Sequence, residues 1–598
     1  MSYDLMHPRA PRLSGALLKA AAALLERPSL GKPLAHRLLK ETGIDRFRRL
    51  HVPETPRMHP VKRGRDAATL EQAATPEAVD LESLAEKLAG FPTMGEREDT
   101  KRPAEKFRFP TIRDYAKAYS RGDTTPSEVC RSIIRTLREQ DRGDRPLYLF
   151  IRLNEDEILA QAAESTRRFK EGNPRSLLEG VPVPIKDELD VAGFPTSLGT
   201  GFLTAEIAET DATVVARLRE AGAILLGKAN MHEIGMGVTG LNPNYGTPVN
   251  PYAPWRYPGG SSSGSAAAVA LGLAPLAIGA DGGGSIRIPA AFCGVAGLKP
   301  TFGRVSGRGS GGICWSVAHI GPIASSVEDL AVAYAAIAGP DEKDPWSCCG
   351  PSLGLDDVPT TVKGMKLGIY TPWFEDADEA ILEAVRGALE RLLSAGAELV
   401  EIEVPELENL RVAHLITIST EQRAAMDRHY KDHRTDFGIE TRANLALAGR
   451  LTGSDYIKAQ QMRERGLKQW NKIFEKVDAI ITPTTGMLPP TIPEDRLLSG
   501  VSDLTTLSEI MRFVTPANLL GYPALSVPAG FVTADSRRFT DAEAETDHEW
   551  QPYSTLPVGV QFIAPHFQET RLLRLAAAVE AGTERLKPRI YFPSLNGR

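Results

Sequence analysis

The chain has 598 residues, 42% of them hydrophobic and 24% charged, and its 70 Lys and Arg stand against 76 Asp and Glu for a formal charge of -6. That length allows several domains or one large α/β unit, and the composition is that of a globular protein with a sizeable core, which excludes disorder over the whole chain. A slightly negative balance supplies no global field for gathering nucleic acid, and five cysteines without a C-x-x-C pair make no disulfide framework and point to a reducing compartment.

Residues 1 to about 60 carry Arg and Lys in excess, and Leu13, Leu17, Ala20 and Leu24 recur at helical spacing. This predicts a basic amphipathic helix within that stretch, which either packs on the main body or borders a membrane surface or substrate entrance, any membrane contact running through residues 10–50. The apolar stretch is interrupted by Lys19 and ended by Glu26, too short and too charged to span a bilayer, and it lacks the order of a secretory signal. No transmembrane helix and no export are expected; the location is intracellular, cytoplasmic or peripheral at a membrane. Residues 53–108 are rich in Pro, Glu, Lys and Arg, and read as an irregular connector with one short helix near 77–89. The boundary falls near Phe109, giving an extension and connector over 1–108 and a main domain over 109–598.

From Ile112 onward helices and strands alternate. Helices are predicted over Thr125 to Glu139, opened by the capping-box pattern of TTPSEV, and over Glu155 to Lys170. A strand follows at Val181 to Ile185, then helix Ala212 to Ala221, strand Ile224 to Leu226, helix Ser263 to Gly272 and strand Leu276 to Ala280. Asp478 to Pro483 reads as a core strand, and 525–531 and 556–564 read as paired core strands separated by a polar surface loop from Asp535 to Tyr553. The alternation argues for an α/β fold with a mainly parallel sheet.

The densest chemical signal is GGSSSG at 259–264, followed by an Ala-rich helix, a short strand and DGGGSIRI at 281–288. Two serine-bearing glycine turns can bring hydroxyls and bare backbone N–H groups to one place, and Gly282, Gly283 and Gly284 can turn several amides toward a developing oxyanion. Amide hydrolysis also needs a base and an acid. None of the eleven histidines lies near either turn in sequence, the closest being His232. The other candidate is Lys186, at the end of an apolar strand in VPVPIKDELDVAG, since a lysine works as a base at neutral pH only where burial disfavours its charged form. A rival reading takes GSSSG at 260–264 as a nucleophile elbow with Ser262 attacking, which leaves Lys186 and Ser285 idle. His429 and His433 have helical metal spacing but no third ligand nearby and read as a solvated face. Cys293 reads as a small buried residue, and Cys348-Cys349 carries no reading.

The segments VPIKDELDVAG, GAILLGKANMHE, NPNYGTPVNP, GGSSSGSAAAVALG, DGGGSIRIPAAFCGVAGLKPTFGRVS, TPANLLGYPALSVPAG and LPVGVQFIA, in this order over roughly residues 110–585, resemble the amidase signature family. The resemblance implies a twisted mixed β-sheet core covered by helices on both faces, with 109–598 as the catalytic domain and no cofactor or metal. It implies Lys186, Ser261 with a cis peptide before it, and Ser285 as a Ser-Ser-Lys triad with Ser285 the nucleophile. It also implies an oxyanion hole from the amides of Gly282, Gly283, Gly284 and Ser285, a supporting hydroxyl at Ser262, and Asp281 and Arg287 as orienting groups or a structural salt bridge. Outside those segments, IRDYAKAYSRGDTTP, LYLFIRLNEDEILAQAAESTRRFKEGNP and the long N-terminal extension are similar to the plant-type fatty acid amide hydrolases, which implies N-acylethanolamine-type lipid amides, a homodimer and peripheral membrane contact. Short-chain or acyl-amino-acid amides, the glutaminase subunit of a tRNA-dependent amidotransferase, and an inactive binding protein stay as alternatives.

Overall fold

Apolar runs with no polar face form the middle of the molecule. Pro182–Lys186, Ile224–Ala229 and Leu276–Asp281 are buried at every position, the pattern of strands covered on both faces. The structure, a computed structural model, describes residues 3–8, 10–61, 107–143, 146–347, 361–493, 500–535 and 553–595. Its strands in chain order are β1 (Leu13–Ser14), β2 (Phe150–Arg152), β3 (Pro182–Lys186), β4 (Ile224–Ala229), β5 (Leu276–Asp281), β6 (Ala296–Lys299), β7 (His319–Ala324), β8 (Lys366–Ile369), β9 (Glu398–Glu401), β10 (Ala479–Pro483), β11 (Val501–Ser502), β12 (Ala524–Asp535) and β13 (Tyr553–Ile563). β1 pairs with β11, and the other 11 form one sheet in the order β2-β4-β3-β5-β7-β6-β12-β13-β10-β8-β9.

The sheet is mixed, and the mainly parallel arrangement expected from alternation is corrected: six of its ten pairings are antiparallel. Alternation in sequence shows that helices separate strands but not which edge each returns to, and here the run from β5 through β10 is antiparallel throughout. The predicted elements otherwise lie within a few residues of the observed ones. Helix Pro126–Asp141 is opened by Thr125, whose hydroxyl accepts from the Glu128 N–H at 3.2 Å while the Glu128 carboxylate accepts from the Thr125 N–H at 2.8 Å. Glu155–Lys170 is one helix, and β12 and β13 pair antiparallel. The short helix expected near 77–89, most of the loop expected between Asp535 and Tyr553, and Cys348-Cys349 lie outside the described residues.

The N-terminal segment folds as α1 (Gly15–Leu25), α2 (Lys32–Glu41) and α3 (Ile44–Arg49). It packs on the main body: Glu26 holds Arg442 at 2.9 and 3.0 Å, Arg48 holds Asp455 at 2.8 and 2.9 Å, and Leu39, Ile44 and Phe47 share a core with Trp373 and Trp470. The face buried on α1 is not the predicted one. Leu18, Ala22 and Leu25 go inward, whereas Leu17 is 69% and Leu24 37% exposed. GALLKAAAALL is apolar nearly all round, so spacing alone cannot choose between its faces; contact with Ala35 and Ala443 does.

Candidate active site

β3 and β5 run parallel, Ile185 opposite Ile278, so both chains leave the sheet at the same edge. The ends of parallel strands are where an α/β sheet presents its chemistry. β3 ends on Lys186 and β5 on Asp281, and the second serine turn follows directly. The first turn enters the helix Ser263–Ala270, which leads into β5. A side chain at Gly260 would put its Cβ 2.7 Å from the Gly240 nitrogen, so this turn passes another backbone too closely for anything but glycine. The peptide between Gly260 and Ser261 is cis.

Lys186 is 1% exposed. Its amine donates to Ser261 Oγ at 2.8 Å and to the Ala280 carbonyl at 3.0 Å, and lies 2.7 Å from a carboxylate oxygen of Glu188. Ser262 Oγ donates to the Ala280 carbonyl at 3.2 Å and accepts from the Ala280 N–H at 3.3 Å, while the Ser262 N–H donates to the Ser285 carbonyl at 3.2 Å. Ser262 therefore ties the two serine turns together. With its oxygen bound both ways to the sheet backbone, it is not placed as the attacking group of an elbow. Ser285 is 5% exposed and lines an apolar cavity.

Asp281 and Arg287 hold the second turn. The Arg287 guanidinium meets the Asp281 carboxylate at 3.0 and 3.1 Å and reaches Gln561, Asn518 and the Val514 carbonyl. Burial pushes the Asp281 carboxyl up, but Arg287 and then Lys299 overcome it and hold the group well below the ordinary carboxylate range. The carboxylate also accepts from the Gly284 N–H at 2.6 Å and the Ile286 N–H at 3.1 Å. One expectation is corrected here: the Gly284 amide is already committed to Asp281, which leaves Gly282, Gly283 and Ser285 as the candidate oxyanion donors. Gly284 is still required, because its φ of +105° is a conformation that side-chain-bearing residues rarely adopt.

Two buried histidines reach this site, His232 from the segment GAILLGKANMHE and His414 from outside the motifs. His414, on the helix Leu407–Ala425, meets the Gly282 carbonyl through Nε2 at 2.7 Å. A carbonyl only accepts, so this nitrogen carries the hydrogen. His232 gives its backbone N–H to the Ser261 carbonyl at 3.2 Å. Burial pushes both imidazoles down to about 4, so both are weak bases at neutral pH. His414 stands 132 residues from Gly282, and no local signal marks it. His433 pairs with Asp436 at 3.0 Å and stacks on Phe202, and no group of three or more metal-ligating side chains occurs among the described residues. Cys293 is buried with its Sγ 3.3 Å from the Pro258 carbonyl, as read from sequence.

The apolar cavity measures about 240 Å³. Its lining includes Gly283 and Ser285, Met236, Val238 and Ile418, and Leu18, Leu38 and Ile44 of the N-terminal helices. A second cavity of about 320 Å³ touches Glu188, Ala280 and His319, with Arg308, Lys343 and Asp344 around it.

The family described as Amidase matches residues 134–573. The chain belongs to that family, the amidase signature enzymes, and is a serine amidase that hydrolyses amide bonds. Among its relatives it is 40% identical over 611 residues to a fatty acid amide hydrolase of Medicago truncatula, covering 100% of this chain and 97% of the relative. One component of the glutamyl-tRNA(Gln) amidotransferase of Koribacter versatilis is 35% identical, over 76% of this chain and 95% of its own length. The structure is similar to that of the native peptide amidase of Stenotrophomonas maltophilia, with a TM-score of 0.65 and 29% identity over 80% of this chain and 98% of that one. Among the described residues no helix is long and apolar enough to cross a membrane.

Proposed function

We propose that this amidase cleaves long-chain N-acyl amides of the N-acylethanolamine type to a fatty acid and an amine, through an acyl-enzyme on Ser285. The observation that carries the reading is the apolar cavity joining Ser285 to α1, α2 and α3, which suits an aliphatic chain whose carbonyl lies at the serine. The full-length likeness to a fatty acid amide hydrolase supports it.

In the chemistry proposed, a neutral Lys186 draws a proton from Ser261 as Ser261 draws one from Ser285, and Ser285 attacks the carbonyl. The amides of Gly282, Gly283 and Ser285 receive the oxyanion. The same relay then protonates the departing amine, and water releases the acid. Residues 1–108 act as an extension to the catalytic domain at 109–598, and residues 10–50 face a lipid surface. Leu17, Leu24 and Leu30, all exposed, stand beside Lys19, Arg27 and Lys32 there, the apolar-and-basic pattern of an interfacial helix. The homodimer implied by the resemblance belongs to the same proposal.

A panel of N-acylethanolamines of increasing chain length tests the substrate. At about 0.8 kcal/mol per buried methylene, kcat/KM is expected to rise about fourfold per added carbon until the cavity is filled. Rapid cleavage of short amides with no fatty acid released from N-acylethanolamines sinks the reading.

A further inference from the structure

Three acceptors surround the buried amine of Lys186: Ser261 Oγ, the Ala280 carbonyl oxygen and the Glu188 carboxylate. An ammonium has three N–H donors and no lone pair, so three acceptors saturate it. To take a proton from Ser261, the amine needs its lone pair where an N–H now points, and one proton must leave first. The shortest of the three contacts, 2.7 Å, is to the one acceptor that is itself a base. Lys186 is 1% and Glu188 4% exposed. At such burial, lost hydration penalises the two charges and narrows the gap between an ammonium–carboxylate pair and an amine–carboxylic acid pair.

We infer that Glu188 is a positioning residue which takes the Lys186 proton inside the buried pair, so that the base is made without exchange with solvent. The inference rests on the Lys186–Ser261 relay proposed above. The proton leaves Nζ for a Glu188 oxygen. The Ser261 proton then passes to Nζ and the Ser285 proton to Ser261 as Ser285 Oγ bonds to the acyl carbon. On collapse, Ser261 protonates the leaving nitrogen and Lys186 reprotonates Ser261. Water repeats the cycle on the acyl-enzyme, and Glu188 finally returns its proton to Lys186.

The turn that aims Glu188 is short: the Leu189 N–H donates to the Lys186 carbonyl at 3.0 Å, and the Gly311 N–H holds the Glu188 carbonyl at 2.9 Å. Cys314 and His319 line the same cavity as Glu188, and His232 interacts with Lys186. Burial holds the Cys314 thiol well above its ordinary range, the His319 imidazole well below its own, and His232 at about 4. None of these changes charge near neutral pH. Arg308, Lys343 and Asp344 line that cavity as well.

The test is the pH dependence of kcat/KM on a soluble amide. The two forms of the pair hold the same number of protons, so the wild-type profile is expected to be flat from roughly pH 6 to 8. In Glu188→Gln the proton has to be lost to solvent, and kcat/KM is expected to rise about tenfold per pH unit over that range. Glu188→Asp keeps an acid and is expected to be flat again at a lower rate. A Gln variant as flat as wild type, or an Asp variant as steep as the Gln variant, overturns the inference. So does a wild-type profile that itself rises tenfold per unit, a result that holds even where the Gln variant does not fold. Lys186→Ala separates the two levels: full activity there removes the relay itself, whereas its loss leaves the Glu188 result to stand alone.

Discussion

At the scale of single residues, the site depends on groups that hold the reacting ones. His414 illustrates this: its Nε2–H on the Gly282 carbonyl fixes the peptide whose other face leads into the Gly283 amide. In His414→Leu that hold is gone, and kcat is expected to fall about tenfold to a hundredfold with KM little changed, as for a weakened oxyanion donor. His414→Gln, which keeps a donor, should recover much of the rate. Steady-state kinetics on the two variants decides, and an unaltered kcat in the Leu variant sinks the assignment. Lys186, Ser261 and Ser285 were legible as candidates because each sits in a contiguous motif whose residue types are unusual together. Glu188 lies in one of the same motifs, two positions after Lys186, yet its part was not legible. Whether its side chain returns to Nζ depends on the turn after β3.

At the scale of elements, α1 separates what spacing can predict from what packing decides. Its periodicity predicted a helix, and a helix is there; of the stripe chosen from spacing, Leu17, Ala20 and Leu24 face solvent, while Leu13 lies before the helix in β1 and is partly buried. That outward stripe gives a prediction of its own. Replacing Leu17 and Leu24 with Asp removes no buried contact, so the melting temperature should stay within the few degrees expected of surface changes. Sedimentation with anionic lipid vesicles should drop severalfold, since apolar insertion is lost and negative charge is added. Unchanged vesicle binding excludes this face of α1 as the lipid contact. The sheet shows the same division. The strands were predicted close to their observed positions, but their direction was not, because the choice between parallel and antiparallel return belongs to strand partners distant in sequence, such as Ala524 and Lys299.

At the scale of the whole molecule, buried titrating groups make the stability of the fold depend on pH. Burial holds His59, His232, His414 and His566 at about 4, against 6.5 for an ordinary histidine. The unfolded chain binds protons at these sites below pH 6.5 while the folded one does not, so their contribution to stability is lost as pH falls from about 6.5 toward 4. Burial raises Asp329 and Glu440 to about 8. Those carboxyls act in the opposite sense, since the folded state keeps a proton that the unfolded state has released, and their contribution is lost as pH rises from about 4 to 8. His319, also pushed well below the ordinary range by burial, adds to the histidines' effect below 6.5, and above it the buried Lys299, whose ammonium form burial disfavours, opposes the carboxyls. The melting temperature by scanning calorimetry is therefore expected to fall as pH drops from about 6.5 toward 4; a profile that is level or rises toward pH 4 contradicts it.

Local information determined the α/β class, the position of most elements and the two glycine turns, because helix and strand periodicity, capping and glycine's backbone freedom act over a few residues. The tertiary structure alone decided the mixed direction of the sheet, the inward face of α1 and the arrival of His414 at the site. Each of these is a choice among locally equivalent options, and such a choice is made only when distant segments compete for the same buried partner.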